Sequence, residues 1–297
     1  MGLTSVLRDA LDKRVEWTIS LVDDRLGRRR ETLHDRLDDL ERFGRGALQA
    51  QGWMDGDGRL GEPVAQLRDT NAAYLNWAAG PEGYAAQAGL WFNPPVPVNL
   101  VPGGVEVLMV NERVIEQPWV FAQVGADRPL RILDVGGSES TVAVSLATLG
   151  HAVTVVDPRG YPVAHPDLTV AACRLEDYDG PAAFDVAVCL SAVEHFGLDH
   201  YGQEASAARA DHAALRTLRG LVRADGGRLL LTVPYGPAFA VAGFERIYDR
   251  PALDELLDGW TVAERRVAQW RDRLAWELLA PDAEPTGRAV ALVAATA

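Results

Sequence analysis

The stretch Arg131-Ile-Leu-Asp-Val-Gly-Gly-Ser-Glu-Ser140, read with Val153-Thr-Val-Val-Asp157, constrains the fold more than any other part of the chain. An apolar strand (Ile132, Leu133, Val135) runs into the small residues Gly136, Gly137, Ser138 and Ser140. A helical run follows from Thr141 to Leu149, Gly150 closes it, and a second apolar strand ends on an acid. This order is that of a βαβ unit that takes a nucleotide-like ligand at the carboxyl ends of its strands. Small residues let the backbone approach such a ligand, and the terminal acid can accept hydrogen bonds from ribose hydroxyls.

The rest of the carboxyl-terminal two-thirds repeats the alternation. Strands are expected at 131–135, 152–156, near 168–172, at 184–190 and at 227–233, with helices at 139–149 and 205–223. Apolar strands without polar alternation imply a parallel sheet covered on both faces. The tail differs. A helix from Pro251 to Leu257 leads through Trp260 to an amphipathic stretch and a final strand, Arg288 to Ala295, with no helix after it. A closing pair joined without a crossover must be antiparallel. The expected fold is therefore α/β, a Rossmann-like doubly wound seven-stranded sheet with an antiparallel last strand, preceded by a helical N-terminal region.

That region, residues 1–92, carries Leu7, Leu11, Val15, Ile19, Val22 and Leu26, then Leu33, Leu37 and Leu40, at helical spacing. It reads as a possible oligomerisation element or substrate cap. Asp55-Gly-Asp57-Gly58 lacks the remaining ligands of a calcium loop and is a turn. The Pro-rich segment 93–104 is a linker, and the second domain spans 105–297. Within it, Asn111 is a helix N-cap candidate, Pro118 opens or kinks the next turn, and Glu112, Arg113 and Glu116 are expected near the pocket as substrate-lining residues.

Composition excludes several classes. A net charge of −13 over 297 residues disfavours nucleic acid. Two cysteines, Cys173 and Cys189, without paired spacing argue against a disulfide framework or a zinc site and fit a reducing cytoplasm. No apolar run reaches the ~20 residues of a membrane span.

Taken together, these residues resemble the class I S-adenosylmethionine-dependent methyltransferases. Leu133-Asp134-Val-Gly136-Gly-Ser138-Glu-Ser140 is similar to the family's first motif, with serine at the second and third glycine positions. Asp157 matches the ribose-binding acid, Phe184-Asp185 to Glu194-His195 the fourth strand and its loop, and Asp225 to Tyr235 the fifth strand. Ser191 to Tyr201, with Arg246-Ile-Tyr248, resembles a group linked to glycan or natural-product pathways. The resemblance implies S-adenosyl-L-methionine held by Asp134, Gly136, Gly137, Ser138, Asp157, Leu175, Glu176 and Leu190. It implies a hydroxyl or amine acceptor, a small molecule or sugar, near Tyr235, Arg246 and Tyr248. His195 is the candidate general base, with His200 and Tyr201 as alternatives; no metal is expected.

Two other readings stay open at this level. The chain could be a non-catalytic binding or assembly protein, if Ser138 and Ser140 occupy positions that need glycine-only dihedrals. A nicotinamide dehydrogenase fits less well, since the loop lacks G-x-G-x-x-G.

Overall fold

A computed structural model describes residues 69–198, 209–242, 245–281 and 283–297. The expected helices before residue 69 lie outside these residues. Helix α1 (Asp69–Ala79) and the single turn α2 (Tyr84–Gln87) precede an extended segment and a hairpin of β1 (Val98–Val101) and β2 (Gly104–Val107). Residues 75–99 and 106–297 form one compact unit, which carries the main sheet.

Helix α3 (Arg113–Val124) opens that unit's α/β part. The Arg113 N–H donates to Asn111 Oδ1 (3.1 Å), so Asn111 does satisfy an N-terminal amide, one residue upstream of the formal cap. The helix continues through Pro118 and ends at Gly125, whose φ of 68° suits glycine. There follow β3 (Arg131–Val135), α4 (Val142–Thr148), β4 (Ala152–Val156), β5 (Leu168–Ala171), β6 (Val186–Leu190), α5 (Ala210–Leu221) and β7 (Arg228–Tyr235). A small hairpin of β8 (Ala240–Ala242) and β9 (Glu245–Ile247) leads to α6 (Arg250–Leu256), whose first turn is capped by Asp249. The chain closes with β10 (Thr261–Asp272), β11 (Ala275–Leu278) and β12 (Ala289–Thr296).

The main sheet has eight strands in the order β11-β10-β12-β7-β6-β3-β4-β5. Strands β3 to β7 are parallel, and β12 runs antiparallel between β7 and β10. The order steps outward from β3 in both directions, so the crevice above β3 and β6 is the topological switch point. The amphipathic stretch expected after Trp260 is the long strand β10. Its return, β11, is the eighth strand, one more than the sequence reading counted, because Asp272 and Leu274 turn the chain back on itself.

Neighbouring residues on each central strand serve opposite faces. Ile132, Val186, Val188, Leu230 and Leu292 pack under α3 and α4, against Trp119, Val120 and Leu146. Leu133, Ala187, Leu229, Leu231 and Val293 pack under α5 and α6, against Leu215, Leu218, Leu253 and Leu256. Both faces are dry, which is why the central strands read as unbroken apolar runs. Among the described residues no helix is long and apolar enough to cross a membrane.

Candidate active site

At the carboxyl ends of β3, β4 and β6 lies a cavity of about 360 Å³, within the range of small-ligand sites. Its floor is the loop after β3. Gly136 has φ 76°, and a Cβ there would lie 2.6 Å from the Ala192 Cβ. A Cβ on Gly137 would lie 2.3 Å from Asp134 Oδ2. Both positions are therefore closed to any side chain, the first by dihedral and contact, the second by contact alone.

The serines need no such exemption. Among the described non-glycine residues, only Ala183, Ser191 and Arg209 have positive φ. Ser138 and Ser140 therefore sit in ordinary backbone, and the strain that the missing glycines suggested is not there. Ser140 does work that glycine could not, accepting a hydrogen bond from Val142 N (3.2 Å) at the start of α4. Ser138 is buried behind the loop, donates from its N–H to Asp157 Oδ2 (3.2 Å), and leaves its hydroxyl without a protein partner. It is not part of the cavity wall.

Two acids define this end of the site. Asp134 is 3% exposed, and its Oδ2 has no hydrogen-bond partner. Burial first, and the neighbouring Asp157 second, push its carboxyl up to about 7. Asp157 is also buried, at the tip of β4. Its Oδ1 accepts from Arg159 N (2.9 Å) and faces Arg159 Nε (3.4 Å), while Arg159 Nη1 reaches Glu139. Arg159 thus covers the acid that the sequence reading gives to ribose. The signal for it in the sequence is a guanidinium two residues past the strand-terminal acid.

The wall towards β5 comes from the turn Leu175–Asp177. Leu175 is buried and Glu176 exposed, with Arg174 3.6 Å from Glu176. Leu190 closes the far side at the end of β6. Next to it Ser191 holds φ 42°, a left-handed conformation unusual for serine, at the cavity wall. Such strain is kept where surrounding structure enforces it. Here the enforcement is a buried network. Ser191 N donates to Thr232 Oγ1 (2.9 Å), and both the Ser191 and Thr232 hydroxyls donate to Glu116 Oε1, each at 2.6 Å. Glu116 is 1% exposed and lines the cavity with Arg113 and Gln117. Its burial raises its pKa.

His195 ends the short turn Val193–His195 after β6 and lines the same cavity. Its Nε2 lies 3.8 Å from Glu194 Oε1. Glu194 is 1% exposed, and desolvation holds its carboxyl well above the usual range. Arg246 fixes this turn, donating from Nη1 to the carbonyls of Glu194 (3.0 Å) and Phe196 (2.8 Å). Arg246 Nε lies 3.5 Å from Asp211 Oδ2, which accepts from the Tyr248 hydroxyl at 2.8 Å. Arg246 and Tyr248, expected at the acceptor, are buried behind the turn and are not in the cavity wall, and Glu112 and Tyr235 also lie outside it. Glu112 pairs with Arg288 (2.9 Å), and Tyr235 bridges to Tyr248 in the strand layer. His200 and Tyr201 lie outside the described residues. The roof is the small-residue face of α5, Ala210, Ala213, Ala214 and Thr217, which no motif announced.

No protein-family model matches the sequence, and no curated protein matches it. Among solved structures the chain is similar to the 1,6-didemethyltoxoflavin-N1-methyltransferase of Burkholderia thailandensis, crystallised with 1,6-didemethyltoxoflavin and S-adenosylhomocysteine. The identity is 23% over 61% of this chain and 76% of that one, with a TM-score of 0.40. It is similar to coclaurine N-methyltransferase bound to N-methylheliamine and S-adenosylhomocysteine, at 13% identity, 53% of this chain and a TM-score of 0.41. The match spans 50% of that enzyme's length. It is also similar to an S-adenosylmethionine-dependent methyltransferase of Mesorhizobium loti, at 13% identity, 61% and 96% coverage and a TM-score of 0.42. The strand order and the antiparallel β12, read directly, decide the architecture. The fold is a Rossmann-like α/β sheet whose last strand is antiparallel.

Proposed function

We propose that this chain transfers a methyl group from S-adenosylmethionine to a small-molecule or carbohydrate acceptor, at a hydroxyl or an amine. The observation that carries the reading is the cavity at the switch point, where the closed glycines Gly136 and Gly137 meet the buried acids Asp134 and Asp157. The donor set suits an adenosyl sulfonium. Asp157 offers carboxylate oxygens to vicinal hydroxyls once Arg159 yields them. Asp134 has an orphaned oxygen, and acids of this kind favour a cationic ligand. Leu175, Glu176 and Leu190 line the cavity with two apolar side chains and one exposed carboxylate, a chemistry that suits an adenine edge.

When bound, the cofactor supplies an activated methyl on a positively charged sulfur, so the protein needs only to orient the reactants and manage a proton. His195 is the group of this chain that takes the acceptor's proton, having an imidazole in the cavity wall just beyond β6. The Arg246 hydrogen bonds to the carbonyls of Glu194 and Phe196 hold the turn that carries that imidazole. The free thiols Cys173 and Cys189 suit a cytoplasmic setting.

Isothermal titration of the purified, cofactor-stripped chain with S-adenosylmethionine and S-adenosylhomocysteine tests this. Both should bind, and Asp157→Ala should weaken them. His195→Ala should lower turnover by ~10²–10⁴-fold while leaving cofactor affinity in place. Absence of cofactor binding would sink the reading.

A further inference from the structure

The motif residues account for the adenosine half of the ligand and leave the α3 side of the cavity without a role. Arg113 and Glu116 stand one turn apart on α3, so they share a face, and both line the cavity. Gln117 lines it beside them. One face of one helix therefore presents a cation and an anion to the same space.

The anion is built rather than incidental. Glu116 is 1% exposed, and its Oε1 is fixed by the Ser191 and Thr232 hydroxyls at 2.6 Å each. Its Oε2 has no hydrogen-bond partner among the described residues. A carboxylate oxygen left open in a polar, accessible site, with its twin locked by two donors, is a preorganised acceptor for N–H groups. The scaffold is rigid, since Thr232 is fully buried on β7 and Ser191 is held in left-handed backbone. Arg113 lies 3.4 Å from Glu112, which also faces Arg288, so its guanidinium keeps donors to offer.

A ligand that satisfies both groups must carry a negative and a positive centre a few bonds apart. We propose that Arg113 and Glu116 clamp the amino-acid end of the cofactor, the guanidinium taking its carboxylate and the Glu116 Oε2 taking its ammonium. The assignment rests on the methyltransferase reading and moves these two residues from the acceptor side to the cofactor side. The acceptor then enters beside His195 and the small-residue face of α5, and the clamp fixes the sulfur between the two.

The test compares two ligands by calorimetry on the full chain. S-adenosylhomocysteine carries the amino-acid end, and 5′-methylthioadenosine keeps the adenosine and thioether but lacks it. The wild-type chain should bind the first at least about ten-fold more tightly than the second. Glu116→Gln, whose amide oxygen still accepts the two hydroxyls, and Arg113→Met should each remove most of that preference while methylthioadenosine affinity changes by less than about two-fold. A purely structural role for Glu116 would weaken both ligands alike, and that outcome overturns the clamp. So does an unchanged S-adenosylhomocysteine affinity in Glu116→Gln accompanied by a raised acceptor KM, which would return the carboxylate to the acceptor. If a variant fails to fold, the wild-type ratio decides alone, and a preference below about ten-fold counts against the clamp. Binding of neither ligand by the wild type would reject the cofactor reading itself, a result distinct from the loss of selectivity.

Discussion

At the scale of single residues, the site depends on which atoms cannot be present as much as on which are. Gly137 has no unusual φ, yet its missing Cβ is what lets the Asp134 carboxyl lie against the loop. Gly125, at the end of α3, is the converse case, with φ 68° and open space around it. Alanine substitution at the two positions separates the effects. Gly137→Ala should cost about 1–3 kcal/mol by overpacking and abolish measurable binding of S-adenosylhomocysteine. Gly125→Ala should cost on the order of 1 kcal/mol from backbone strain and leave binding intact. Urea unfolding and calorimetry on both variants check this, and equal behaviour of the two would refute it. The same logic explains the serines of the loop. They are tolerated because their backbone is ordinary, and Ser140 is favoured because a helix begins two residues later.

At the scale of elements, the turn that presents His195 is short and would not hold its shape alone. It is pinned from β9 by Arg246, which reaches the carbonyls of Glu194 and Phe196, and Arg246 is in turn held with Tyr248 by Asp211 on α5. Asp211 also accepts from His212 N at 2.9 Å. These contacts explain its lowered pKa even though desolvation is the largest influence on it and acts upward. Two segments far apart in sequence, α5 and the end of β9, thus meet at one buried carboxylate. Tyr248→Phe removes a hydrogen bond to a charged, buried acceptor and should cost roughly 1–3 kcal/mol. Arg246→Met frees the turn, and turnover should fall by more than about ten-fold while S-adenosylhomocysteine affinity stays within about two-fold. A parallel fall in affinity would mean that Arg246 supports the cofactor pocket rather than the turn.

At the scale of the whole molecule, buried acids in and just behind the cavity wall have raised pKa values. Asp134 is pushed to about 7, and Glu116 and Glu194 are raised, in each case chiefly by burial. The sign follows from linkage. A carboxyl with a raised folded-state pKa binds its proton more tightly in the folded chain, so its contribution is fully present below the unfolded pKa. That contribution is lost as pH rises through the folded value. Asp185 and Asp211 are lowered, and their contribution is lost only as pH falls below about 4, through their folded values. Stability should therefore be greatest in mildly acidic solution and decline between about pH 5 and pH 8, the interval that contains the Asp134 value. Asp134→Asn should flatten that decline, and denaturant midpoints measured across the interval would show it. An unchanged slope in the variant would mean that Asp134 is ionised throughout.

How much of this was legible beforehand depends on the range of the forces involved. Local pattern determined the strands, the βαβ unit, the pairing of Asp134 with Gly136 and Asp157, and the antiparallel end, because side-chain period and turn chemistry act over a few residues. The eighth strand was missed because β11 is short and amphipathic, and only pairing with β10 makes it a strand. Arg246 and Tyr248 were expected at the acceptor because they follow the fifth strand. Only packing shows that they face Asp211 and the back of the His195 turn. Glu116 was expected near the pocket, but nothing in residues 111–117 says that Ser191 and Thr232, at the ends of two other strands, lock one of its oxygens. The sequence alone determined which chemistry is available at the strand ends. The tertiary structure alone decided which of those groups are desolvated together, and desolvation by distant neighbours is what sets their charge and their partners.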